Sequence, residues 1–315
     1  MLGIDSTAVI GHPIGAPLYL LKQVFLGKKV KYFVFRYIND SNSLVLAYLR
    51  YISEIILINF CKLLNIQIWW LCHNVDKETT SFYPKITKLR RQNVLRNANQ
   101  IFTTNKLLVP FAKQTLKVEN IDFLSLGYIS GKLSEKFVSD EKINNQLRDW
   151  LHQKKGKNVK FLFCIGSPAD KATHFKLINS FILKLNNIDN IYRWYGVVVG
   201  HPVNESKYIF NIPTKHYIDP KIILDFANYY YRVIDDYSIS YSIFEAAEYN
   251  IPIITENYGI LPDIIKYYKI GYVVESIEKF IESVGNEIAA ENFNKFRNDN
   301  NWNMAAKKIA LYYNR

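Results

Sequence analysis

The chain has 315 residues, 49% of them hydrophobic, with 40 Lys/Arg against 28 Asp/Glu for a net charge of +12, and three cysteines, Cys61, Cys72 and Cys164. That length exceeds what a single core covers and predicts two domains, and the apolar content supplies an ample core for both. Cysteines that are scattered, odd in number and without metal-ligand spacing exclude a disulfide framework and fit a reducing compartment.

Strands and helices alternate along the chain, with no internal repeat or low-complexity tract. Residues 7–10 read as a strand, followed by the loop Gly11, His12, Pro13, Ile14, Gly15 and a helix from about Pro17. Residues 30–37 predict a second strand, 44–64 a helix and 66–72 a buried strand. The stretch 43–72 is the most hydrophobic, but Arg50, Glu54 and Lys62 interrupt it. It is therefore expected as a buried helix leading into a strand, not as the roughly 20 apolar residues of a bilayer span. The first residues lack the charged and then apolar pattern of a leader, so no signal peptide is expected.

Strand–helix alternation implies parallel sheets covered on both faces, with ligands beyond the carboxyl ends of the strands. Two loops fall at such ends. In the first, Gly11 and Gly15 flank His12 and permit close backbone approach. In the second, His73 can take up a hydroxyl proton or hydrogen-bond a substrate near neutral pH. Asp76 and Glu78 follow it as alternative bases.

Residues 1–130 hold 16 Lys/Arg against 7 Asp/Glu, a net +9, whereas 131–315 hold 24 against 21, a net +3. The densest run carries Lys85, Lys88, Arg90, Arg91 and Arg96 behind Phe82 and Tyr83. Cations beside aromatics suit an anionic membrane surface, at about 1 kcal/mol for each well-placed charge, or a solvated helix face. No helix-turn-helix, zinc-finger or RNP pattern accompanies the run, so nucleic acid is not the expected partner.

Residues 99–126 supply a strand, a helix and a final strand, and the interdomain link begins near Tyr128. A polar helix and surface loop follow within 134–157. Residues 160–165 form the first clear strand of the second domain and run into Gly166, Ser167 and Lys171. Residues 195–202 and 215–220 predict the next two strands with their loops. In the segment 235–274 a Ser/Tyr loop opens a short helix carrying Glu245, a strand follows at 251–255, and Gly259 begins a turn before another helix. A helix start binds phosphate through its N–H groups, and a carboxylate one turn further in holds sugar or ribose hydroxyls. Trp302 lies in a closing helix.

The run Ser240, Tyr241, Ser242, Ile243, Phe244, Glu245, Ala246, leading to Pro252, Ile253 and Ile254, resembles the donor-site helix of GT-B glycosyltransferases, particularly bacterial polysaccharide enzymes of the family-4 type and their relatives. His73 and Asn74 behind Trp70 resemble their W-x-x-H-N segment. Gly166 and Lys171 match parts of the family's G-R-L-x-x-x-K-G loop, with Ser167 standing where Arg is usual. The resemblance covers essentially the whole chain. It implies an α/β fold of GT-B type, two Rossmann-like domains facing each other across a cleft. Residues 1–128 would form the acceptor side and 129–300 the nucleotide-sugar-binding domain, with 301–315 a helix returning toward the first.

The same resemblance implies transfer of a sugar from a nucleoside-diphosphate donor to a hydroxyl of a lipid-linked glycan, on the cytoplasmic face of the plasma membrane. Donor contacts would come from Gly166, Ser167, Lys171, the backbone near Ile218, Ser240, Tyr241, Ser242 and Glu245. His73 and Asp76 would be catalytic, Gly11, His12 and Gly15 would line the first domain's side, and Lys85, Lys88, Arg90 and Arg91 would face the membrane. Tyr237, with Asp236 adjacent, stands where many retaining members carry a second Glu, which leaves inversion and retention both open. No spaced Asp-x-Asp motif occurs, so neither metal nor other cofactor is expected. An NDP-sugar epimerase and a non-catalytic GT-B partner subunit are the alternatives.

Overall fold

A computed structural model describes residues 13–39, 41–78, 82–128, 140–166, 174–213 and 216–313. The chain divides into two compact units, Met1–Leu126 with Asn303–Arg315, and Gly127–Trp302. In the first, a 3-10 turn (Pro13–Gly15) leads into α1 (Ala16–Phe25), followed by β1 (Tyr32–Phe35), α2 (Leu44–Leu63), β2 (Gln67–Cys72), α3 (Pro84–Asn97), β3 (Gln100–Thr103), α4 (Leu108–Leu116) and β4 (Ile121–Phe123). The strands form one parallel sheet in the order β1-β2-β3-β4. Strands covered on both faces are apolar along their length, and β2 is buried from its second residue onward. The strand expected at 7–10 lies outside the described residues.

At 20 residues, α2 is long and apolar enough by composition to cross a bilayer, contrary to the expectation that its charges prevent this. Side-chain contacts hold it against the unit. Arg90 of α3 grips Glu54 of α2 with two bonds, Nε to Oε2 at 2.9 Å and Nη2 to Oε1 at 2.6 Å, and donates to the Asn39 carbonyl at 3.1 Å. Burial pushes the Glu54 carboxyl up, and the guanidinium pulls it back. Removing one partner of such a pair costs about 3–5 kcal/mol, because the other charge is left buried. Ser53 adds a bond from its Oγ to the Ile14 carbonyl at 2.9 Å. Arg90 was expected to face a membrane, but it is 1% exposed and belongs to the core.

The second unit contains α5 (Glu141–Lys154), β5 (Val159–Ile165), α6 (His174–Ile188), β6 (Arg193–Val199), β7 (Ile209–Ile212), α7 (Pro220–Phe226), β8 (Tyr229–Tyr231), α8 (Tyr241–Glu248), β9 (Ile253–Glu256), α9 (Leu261–Tyr268), β10 (Gly271–Val274), α10 (Ile277–Ser283) and α11 (Ala290–Asp299). Its parallel sheet has the order β10-β9-β8-β5-β6-β7. The chain starts at the centre with β5, winds outward through β6 and β7, then returns to the other side of β5 with β8. The winding direction reverses between β5 and β8, the place where open α/β sheets take ligands beyond their carboxyl ends. Asn228 fixes that pairing, since its Oδ1 accepts from the Phe161 N–H at 2.8 Å while its own N–H donates to the Phe161 carbonyl at 3.1 Å.

Beneath the sheet, Trp194, Phe181, Tyr231 and Phe280 form the centre of the second unit's core. The strand expected at 215–220 is displaced, and the strand is β7, at Ile209–Ile212. The reason is local: Asp219 accepts from the Lys221 N–H at 2.9 Å and Pro220 follows, a helix-start pair that opens α7.

The last helix, α12 (Trp302–Tyr313), packs on the first unit. Tyr312 donates to Asp122 Oδ2 at 2.9 Å, Lys308 pairs with the same carboxylate, and the Tyr312 ring stands edge-on to Trp69 and Phe102. Ala305 joins the apolar cluster around Trp69.

Candidate functional site

Gly166 follows β5 and Arg232 follows β8, so the two meet at the carboxyl edge where the winding reverses. Arg232 Nη1 lies 3.4 Å from the Ile165 carbonyl. A Cβ on Gly166 would come within 2.6 Å of that same nitrogen, so the missing side chain is the room the guanidinium occupies. Burial pulls the Arg232 pKa down to about 10, with the Cys164 sulfur and the Asp236 carboxylate opposing the shift. At neutral pH the group is a buried cation.

The loop between β8 and α8 is built around Asp236. Its Oδ1 accepts from the Ser238 N–H at 3.1 Å and the Ser238 hydroxyl at 2.7 Å, a turn in which the aspartate side chain imitates backbone. The loop after β9 locks against it at Gly259, whose φ is +60° and whose Cβ would lie 2.3 Å from the Asp236 carbonyl. Only glycine takes that conformation at that distance without strain. Ser240 is the N-cap of α8, yet its hydroxyl lies 2.9 Å from that of Ser242 and makes no cap bond. The start of α8, where helix geometry directs N–H groups outward and favours anions, thus lies at the end of a fixed loop.

One turn into α8, Glu245 Oε2 accepts from the Tyr230 hydroxyl at 3.1 Å. Burial pushes the Glu245 carboxyl up, and the Tyr230 bond draws it partly back. The Tyr128 and Tyr249 hydroxyls lie 3.0 Å apart, and the Tyr128 ring stacks on Tyr241 at 5.9 Å. Burial raises the hydroxyls of Tyr128, Tyr230 and Tyr249, which keeps all three as proton donors at neutral pH. A carboxylate rimmed by tyrosines can accept from diol hydroxyls and offer flat faces for stacking. Ile218 is buried as a whole residue.

In the first unit, His73 is half-buried at the carboxyl end of β2, its ring stacked on Tyr37 at 4.4 Å. Asp76 is exposed three residues on. The loop they share is braced by Arg91, which donates to the Asn74 carbonyl at 3.0 Å and the Val75 carbonyl at 2.8 Å, pairs with Glu78, and lies over the Trp70 ring. Arg91 is therefore corrected from a membrane-facing cation to a loop brace, its side chain 14% exposed. Glu78 is committed to that pair. Lys85 and Lys88 are exposed.

Gly15 has an ordinary helical backbone, and a Cβ there would meet nothing within 4 Å, so the chain's own packing does not require glycine. Gly11, His12, Ser167 and Lys171 lie outside the described residues. Among the described residues no three His, Cys, Asp or Glu side chains converge as metal ligands would. Arg232 was missed in the sequence, although a cation directly after the wholly buried run Tyr229–Tyr231 was a readable signal.

No family model and no curated protein matches the sequence. Solved structures resemble its fold. The sucrose-phosphate synthase of Thermosynechococcus elongatus superposes with a TM-score of 0.61 at 12% identity, covering 95% of this chain and 76% of its own. A glycosyltransferase from Rickettsia africae gives 0.58 at 15%, covering 98% and 83%. The UDP-GlcNAc 2-epimerase of Methanocaldococcus jannaschii gives 0.53 at 15%, covering 98% and 84%. At these identities the likeness is one of fold, and its extent takes in both parallel-sheet units. The chain has the GT-B fold.

Proposed function

We propose that the chain is a glycosyltransferase whose second unit binds a nucleoside-diphosphate sugar and which delivers that sugar to a hydroxyl of a glycan, lipid-linked in the cell. The observation that carries this reading is the buried Arg232 guanidinium seated against Gly166 at the switch point, beside the loop that ends at the start of α8. A diphosphate leaving group gathers negative charge as it departs, and a fixed cation with outward N–H groups stabilises that charge without reorganising. Resembling enzymes place an Arg where this chain has Ser167, and Arg232 supplies the cation from the adjacent strand. Glu245 accepts from a sugar or ribose hydroxyl.

In the reaction the bond from the anomeric carbon to the diphosphate oxygen breaks and a bond to the acceptor oxygen forms. The negative charge goes to the diphosphate, met by Arg232, Lys171 and the start of α8. The acceptor's proton passes to a base, for which His73 and Asp76 are the candidates. The fold match to a UDP-GlcNAc 2-epimerase favours a second reading, an epimerase that needs no acceptor.

Purified protein incubated with a panel of nucleotide sugars, with and without hydroxyl acceptors, separates the two readings when acceptor products are read by mass spectrometry and the configuration of the sugar by proton NMR. Extension of an acceptor supports transfer, and an epimerised sugar formed without acceptor establishes the alternative. Glu245→Gln keeps an amide oxygen to accept from Tyr230, so folding should hold, while loss of a bond worth about 1.5–3 kcal/mol lowers kcat/KM roughly 10- to 150-fold. Unchanged kinetics in that variant would remove Glu245 from the site.

A further inference from the structure

A helix on the surface of a globular unit carries one apolar stripe toward the core and polar residues elsewhere. Helix α2 departs from this. Its inward face buries Ala47, Leu57, Ile58 and Cys61, and on the opposite face Val45, Tyr48, Ile52, Ile56 and Leu63 recur at helical spacing in the open. Val45 is 68% exposed, Leu63 81%, and Phe25 at the end of the adjacent α1 86%. Among the described residues nothing covers this face.

The exposed charges on α1 and α2 among the described residues have one sign. Helices α1, α2 and α3 together contain a single carboxylate, Glu54, and it is buried against Arg90. Exposed Lys22 and Lys62 lie on α1 and α2 themselves, and Lys28 and Lys29 follow α1 directly, whereas Lys85 and Lys88 sit on the side of α3 opposite the Arg90 stripe that meets α2.

We infer that the outer face of α1 and α2 seats in the plane of an anionic lipid bilayer, with the lysines of these helices meeting the headgroups. An apolar stripe flanked by lysines is the pattern of a helix lying in the interface, and phospholipid headgroups supply the opposite charge. A second copy of this chain would bring the same uncompensated lysines against one another, which disfavours a symmetric pair through this face. Spanning is disfavoured as well, since it would tear Glu54 from Arg90 and Ser53 from the Ile14 carbonyl. This inference replaces the expected contact through Arg90 and Arg91, and it does not depend on the sugar-transfer reading.

The test is flotation of purified protein with vesicles of phosphatidylcholine mixed with phosphatidylglycerol, and with phosphatidylcholine alone. Wild type floats with the mixed vesicles and stays partly bound in high salt, because screening removes the headgroup attraction and leaves the apolar contact. Ile52→Glu combined with Ile56→Glu lowers the bound fraction at least tenfold at both salt concentrations with unchanged thermal melting. Should that pair disturb folding, Leu63→Glu at the exposed helix end serves in its place. Lys22→Glu with Lys62→Glu lowers binding at low salt only. Wild type that fails to float overturns the inference, as does a stripe variant that floats like wild type. A wild-type dimer without lipid that the stripe variant dissociates, with no flotation of either, assigns the face to a second copy instead. Donor turnover on a soluble acceptor reports on the second unit, so its failure leaves this result standing.

Discussion

Gly166→Ala tests the proposed diphosphate site without changing the residue thought to bind there. The added methyl would sit 2.6 Å from Arg232 Nη1, whereas ordinary contact begins at 3.4 Å. The guanidinium must therefore retreat by close to an ångström. Because the crowded atom is the far end of a long side chain, strain in the fold is modest, and the lower chain entropy of alanine offsets part of it by about 0.4–1 kcal/mol. Melting should therefore change little. Binding should change much more, since a charge-assisted hydrogen bond contributes about 1.5–3 kcal/mol. Its loss corresponds to a dissociation constant raised roughly 10- to 150-fold. Titration calorimetry with UDP and the other nucleoside diphosphates reads this directly. Arg232→Gln should weaken binding comparably, and Gly166→Ala on that background should add little, because the two act through one contact. An affinity within twofold of wild type for Gly166→Ala would refute the reasoning, as would full additivity of the pair.

Arg91→Ala removes the brace on the loop that carries His73 and Asp76, and should destabilise the first unit by about 3 kcal/mol because Glu78 is left buried without its cation; hydrogen exchange should rise most across residues 74–78, and uniform protection there would remove the brace. Asp122 should make the attachment of α12 sensitive to acid. Desolvation raises its pKa, but bonds from Lys308, the Phe123 N–H and Tyr312 outweigh that, and the net shift is downward. A carboxyl lowered by folding contributes stability above its unfolded value, and that contribution is lost as pH falls through the folded one. The exchange protection of residues 303–313, corrected for the intrinsic rate at each pH, should thus fall as pH drops below the ordinary aspartate value of about 4, and Asp122→Asn should show the lowered protection already at neutral pH.

Much of the fold was legible because burial writes itself into periodicity. The helix expected at 44–64 and the strand at 66–72 are α2 and β2 to within a residue at either end, since apolar runs bounded by Ser43 and Asn65 leave few alternatives. The strand at 251–255 likewise falls on β9 within two residues, and the short helix expected to carry Glu245 is α8. The misplaced strand at 215–220 shows a limit. There a β-branched residue and an aromatic suggested a strand, whereas the Asp219 and Pro220 pair is a helix start.

The arginines show which part of a site a sequence carries. Arg90 and Arg91 are adjacent, and as a basic run they looked equivalent. Position on α3 separates them: Ile86, Arg90 and Val94 recur every four residues along the buried stripe, so Arg90 had to enter the core and find a carboxylate. That much was in the sequence. Arg91 reaches across to carbonyls of a loop whose path the sequence did not give, and no local pattern marked it. Arg232 combines the two cases. A buried cation costs stability unless a partner offsets it, and Arg90 has that offset in a structural pair between two helices, away from the strand ends. Arg232 sits at the carboxyl edge of the sheet with the Asp236 carboxylate among the groups that favour its charge, in space that Gly166 vacates, at the point where the strand order turns back. What the sequence withheld was the neighbourhood, since β5 and β8 are more than 60 residues apart in the chain and adjacent in the sheet. With the topology in hand, its place at that edge is what makes the same arginine the cation we propose for the donor diphosphate.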